Sequence, residues 1–121
     1  RYIAHRYNEL LAGVPDIEIH KEQPWARHVH WVYGLVLSEK RGADCKWLMK
    51  MLLEKGIETR PFFLGMHEQP VFHKMGLFKG ERYPVAERLA RFGFYIPSGL
   101  TITDQQIDFI ATTLKECLAS R

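Results

Sequence analysis

Residues 30–37 read His-Trp-Val-Tyr-Gly-Leu-Val-Leu and constrain the fold more than any other run. β-branched and aromatic residues dominate them, and apolar side chains fall on both alternating faces. A half-wet strand would alternate apolar with polar. This pattern predicts a central strand instead, and a central strand needs a neighbour on each side.

The rest of the chain supplies those neighbours and their cover. Ile3, Tyr7, Leu10 and Leu11 share one helical face that Gly13 ends. Residues 17–19 predict a short edge strand, and residues 21–29 read as irregular. After a turn over 38–42, a helix is expected over about 43–55, with Leu48, Met51 and Leu52 inward and Gly56 past its end. A strand near 57–60 follows. Residues 61–82 read as one long loop, a length that in a small domain is functional or ordered by a neighbour. Pro84 opens another helix and Gly93 closes it; residues 94–96 predict a strand that Pro97 stops. Thr103 and Gln106 form a capping box ahead of a last helix along Ile107, Ile110, Ala111, Leu114, Cys117 and Leu118. Helix, strand, helix, strand, helix, strand, helix gives a small α/β (α+β) fold. Helices should lie mainly on one face of a three- or four-stranded sheet.

The chemistry concentrates in residues 56–70, Gly-Ile-Glu-Thr-Arg-Pro-Phe-Phe-Leu-Gly-Met-His-Glu-Gln-Pro. Pro61 limits how far a strand there can pair inside a sheet. Beyond it, Arg60 can fork onto a carboxylate or phosphate, Phe62 and Phe63 offer apolar or stacking surface, and His67 and Gln69 can hydrogen-bond. Such a set at a strand end suits a binding cleft. The same residues also read as a strand running into a loop, with both phenylalanines in the core and Arg60 in a surface ion pair.

This run resembles the carboxy-terminal domain of the DegT/DnrJ/EryC1/StrS aminotransferases, and within them the perosamine-synthetase type. There a GI-x-TRPFF segment precedes H-x-QP; here these are Gly56-Ile57, Thr59-Arg60-Pro61-Phe62-Phe63 and His67 to Pro70. Residues 6–11, 30–37 and 93–103 are similar to other parts of the same domain. Leu64-Gly65 departs from the pattern, since many relatives carry an aromatic residue and a proline. The resemblance implies residues 1–121 as the single small domain of a fold-type I enzyme, with a mostly antiparallel sheet. It implies a pyridoxal 5'-phosphate enzyme that aminates a nucleotide-linked keto-sugar, with glutamate as amino donor. It also implies substrate contacts from Arg60, Phe63, His67 and Gln69, and partners in the enzyme's own large domain and a homodimer mate. The Schiff-base lysine and the phosphate-binding residues would belong to that large domain. A stand-alone α/β ligand- or protein-binding module is the alternative reading.

The totals narrow the field. With 121 residues, 46% hydrophobic and 26% charged, the chain can bury a core without staples. The net charge of +3 is mild and its basic residues are scattered, so no nucleic-acid footprint is expected. No apolar run approaches a membrane span and no signal-peptide pattern opens the chain, so a cytoplasmic location is expected. The first residue is Arg1 inside a helical pattern, which suggests a piece of a longer protein. Cys45 and Cys117 are read as idle buried thiols. His28 and His30, two apart, lack a third ligand at useful spacing and are read as ordinary surface histidines; His73 is read the same way. Lys46, Lys50, Lys55 and Lys115 all read as solvated. No P-loop, dinucleotide fingerprint or nucleophile elbow is present.

Overall fold

The strands are β1 (Ile17–Ile19), β2 (Tyr33–Leu37), β3 (Arg60–Pro61) and β4 (Gly93–Ile96). They form one sheet in the order β1-β2-β4-β3, with every pairing antiparallel. The computed structural model describes residues 1–120. Around the sheet lie α1 (Tyr2–Leu11), α2 (Lys46–Glu54), α3 (Pro70–Lys74), α4 (Pro84–Phe92) and α5 (Asp104–Ala119).

Register assigns the two faces. Tyr33 pairs with Ile96, Leu35 with Phe94, and Ile17 with Leu37, so these side chains share one face. That face packs against α1, α2 and α5 through Tyr7, Leu11, Leu48, Leu52, Ile107 and Leu114. Burial of each such side chain stabilises by about 1.5–3 kcal/mol. Side-chain bonds tie α1 to α5: Arg6 donates to Asp108 at 2.8 Å and the Tyr2 hydroxyl to Asp104 at 2.8 Å. The buried Tyr7 hydroxyl donates to the Pro97 carbonyl at 2.7 Å. The second face carries Gly34, Val36 and Tyr95, with α4 approaching through Leu89.

Local chemistry sets the boundaries. At the end of α2, Gly56 takes φ 81°, Gly56 N–H donates to Leu53 O, and Ile57 N–H to Leu52 O. This is a Schellman motif, closed by the buried pair Leu52 and Ile57. Thr103 and Gln106 cap α5 reciprocally, as expected. Cys45 and Cys117 are buried and free.

Four expectations need correction. β2 starts at Tyr33, because His30 has φ 50°, outside the extended region a ladder needs. α2 starts at Lys46, whose N–H is held by the Asp44 carboxylate at 3.0 Å. β3 is Arg60–Pro61 rather than 57–60, since the Schellman motif claims Ile57. Pro61 fits there because β3 is an edge strand. Residues 61–82 are not one loop: a 3-10 turn at Met66–Glu68 runs into α3, which Pro70 opens at its first position.

Candidate functional site

A groove of about 630 Å³ lies where β3 meets β4, lined by Trp31, Arg60, Phe62, Phe63, Tyr95 and Pro97 among others. Its construction follows from register. Arg60 pairs with Tyr95, so both belong to the second face of the sheet. Two residues on, Phe62 returns to that face, and its N–H donates to the Gly93 carbonyl at 3.0 Å. The Phe62 and Tyr95 rings lie 4.6 Å apart, and those of Phe63 and Tyr95 6.3 Å apart. Phe63 and Trp31 are each 73% exposed, which leaves two large aromatic surfaces open at the groove. The Arg60 side chain is 76% exposed and meets Glu58 at 2.6 Å. An exposed pair of this kind is worth little, so the guanidinium is available to a stronger anionic partner. An adjacent recess of about 460 Å³, beside Gly56 and the start of α5, offers Glu58 but no cation.

The structure brings Arg60 and Phe63 together but places His67 and Gln69 elsewhere. The His67 side chain is 6% exposed, with Nε2 3.4 Å from Glu87 and 4.0 Å from Glu68. At 3.4 Å the approach to Glu87 is a polar contact rather than an aligned hydrogen bond. Tyr83 covers the ring at a centroid distance of 4.8 Å. Gln69 donates to the Leu64 carbonyl at 3.1 Å, inside its own segment. The His73 ring pairs with the His67 carbonyl. Both carboxylates facing His67 also hold arginines. Arg82 binds Glu87 with two nitrogens at 2.9 and 2.6 Å, and the Tyr83 N–H adds a third donor at 3.0 Å. Arg82 first and the Tyr83 N–H second pull the Glu87 carboxyl down to about 2. Arg91 donates to Glu68 at 2.9 Å and holds that carboxyl below its ordinary range.

Trp31 and Tyr95 also line the groove, although neither was expected there. Alternation could have found Tyr95: with Phe94 and Ile96 inward, it must face the other way. Trp31 was expected in the strand as a core or contact residue; β2 instead starts at Tyr33 and leaves Trp31 exposed beside it.

Other chemistry is sparse among the described residues. Lys46, Lys50, Lys55 and Lys115 are exposed and none lines the groove. These four solvated side chains do not fit a Schiff-base role at the groove. His20, His28 and His30 cluster edge-on and tilted with centroids 3.9 and 4.1 Å apart, and His28 Nδ1 accepts from the His30 N–H. No group of three His, Cys, Asp or Glu there is arranged to hold a metal ion. No described helix is long and apolar enough to cross a membrane.

The chain thus pairs a four-stranded antiparallel sheet, covered by three helices on one face, with an aromatic groove beside Arg60 on the other. Residues 1–115 match the DegT/DnrJ/EryC1/StrS aminotransferase family, and the chain belongs to it. The chain is 29% identical to the GDP-perosamine synthase of Vibrio cholerae over 115 residues, covering 95% of this chain and 30% of that protein. It superposes on DesI, solved with its TDP-sugar product, with TM-score 0.78 and 26% identity, covering 97% of this chain and 30% of that one. Spr1654 of Streptococcus pneumoniae, solved in PLP and PMP forms, shares the fold. For the PLP form the TM-score is 0.82 at 18% identity, over 98% of this chain and 30% of that one. The chain thus spans about 30% of the length of the relatives it matches.

Proposed function

We propose that these residues form the small, carboxy-terminal domain of a larger cytoplasmic sugar aminotransferase that acts as a homodimer. The enzyme transfers an amino group from glutamate to a nucleotide-linked 4-keto-sugar, using pyridoxal 5'-phosphate. The cofactor and its lysine belong to a large domain outside this chain, and residues 1–121 alone do not catalyse the reaction. The observation that carries the reading is Arg60, three-quarters exposed at the mouth of an aromatic groove. A diphosphate or carboxylate is its natural partner through two parallel hydrogen bonds. Phe63 supplies the neighbouring apolar wall. His67 and Gln69 serve the same site indirectly in this chain, by fixing the segment that follows Phe63.

The test is Arg60→Ala in the full-length protein. Loss of a charge-assisted contact should cost about 1.5–3 kcal/mol in kcat/KM, with the melting temperature unchanged. Arg60→Lys should recover little, because an ammonium cannot reproduce the fork. A lowered melting temperature with unchanged kinetics would instead confine Arg60 to its pair with Glu58.

A further inference from the structure

We propose that Phe62 is a positioning residue, seated on two side-chain-free strand positions, and that this seat fixes where Arg60 and Phe63 stand. The inference rests on the reading of the groove as a substrate site. Register puts Gly34 and Gly93 on the same sheet face as Phe62. A Cβ at position 34 would lie 2.8 Å from Phe62 Cζ and 3.1 Å from Cε1. At position 93 it would lie 2.2 Å from Phe62 Cδ2. Carbon atoms rest comfortably at about 3.5–4.0 Å, so neither site can carry a side chain while the ring stays in place.

Neither glycine is there for its backbone. Gly34 and Gly93 are absent from the positive-φ residues, and Gly93 has φ −90°. Glycine inside a strand costs stability, so two of them facing one ring mark a close approach that the fold accommodates. Tyr95 holds the ring from beside it at 4.6 Å. Arg60 lies two residues before Phe62, and Phe63 directly follows. A displaced ring therefore acts within two residues of both groups that face the groove.

Gly34→Ala in the full-length protein is the clean probe. Apart from Phe62, the nearest atom to a Cβ there is Tyr95 Cδ1 at 3.7 Å, an ordinary contact. Position 93 is unsuitable, since its Cβ would also meet the Leu89 carbonyl oxygen at 2.5 Å. We expect Gly34→Ala to raise KM for the nucleotide sugar on the order of tenfold, to change kcat less, and to leave melting nearly unaltered. Phe62→Leu alone should raise KM, and the double variant should be no worse than Phe62→Leu, because the collision is gone. If Gly34→Ala does not fold, Phe62→Leu with unchanged KM overturns the proposal. If Arg60→Ala raises KM and Gly34→Ala does not, the groove reading stands and the seat falls. If Arg60→Ala leaves kcat/KM unchanged, the groove reading fails and the role of Phe62 falls with it.

Discussion

On one side of the sheet, Tyr33, Leu35, Leu37, Phe94 and Ile96 are sealed beneath three helices. On the other, the segment from Arg60 to Arg91 is held by named polar pairs: Glu87 with Arg82 and His67, Glu68 with Arg91, Gln69 with Leu64. Apolar burial is non-directional, so the first side depends on filled volume rather than on particular bonds. Charge pairs are directional and screened by salt, so the second side depends on particular atoms. The groove lies on the second side, where Arg60, Phe62 and Phe63 meet Tyr95 ahead of those pairs.

Breaking the first side should have the largest effect. Phe94 is fully buried, so Phe94→Ala should cost about 3–5 kcal/mol in denaturant unfolding. A loss under about 1 kcal/mol would show that the core closes around the gap. A smaller change on the same side is Thr103→Ala, which removes one half of the capping box of α5. It should cost about 0.5–2 kcal/mol, read in the same unfolding experiment, with no change in the m-value. Loss of stability without a cap effect, seen as equal destabilisation by Thr103→Ser, would contradict that account.

The same contrast explains what could be read in advance. Leu48, Leu52, Ile107, Leu114 and the strand pattern around Leu35 declared themselves by period, because burial acts on every member of a stripe. Gly56 and Thr103 were legible because caps obey short-range rules. The run from Arg60 to Gln69 showed its chemistry, but not its arrangement. Glu68 meets Arg91 across 23 positions, and nothing local connects them. His67 was expected to face substrate, and its proximity to Glu87 was hidden because Glu87 lies on a different element. The two glycines beneath Phe62 were likewise mute, since a close approach between strands leaves no periodic trace.

The smallest global effect, and the sharpest test of the contrast, is acid titration of the polar segment. Glu87 is pulled down to about 2 by the Arg82 guanidinium and the Tyr83 N–H, from an ordinary 4.5. A carboxyl depressed on folding stabilises above its unfolded value, and that contribution is lost as pH falls toward the folded one. The window is therefore about 4.5 down to about 2. Glu68, held low by Arg91, titrates in the same direction. Amide protection over residues 61–83, corrected for intrinsic exchange, should fall across this window while protection in α5 holds. Glu87→Gln keeps the shape but not the charge. It should loosen the segment already at neutral pH and remove part of the acid dependence, leaving the share of Glu68. Protection over 61–83 that stays flat down to pH 2 would mean that packing, not charge, holds this side too, and the two regions would not differ in kind.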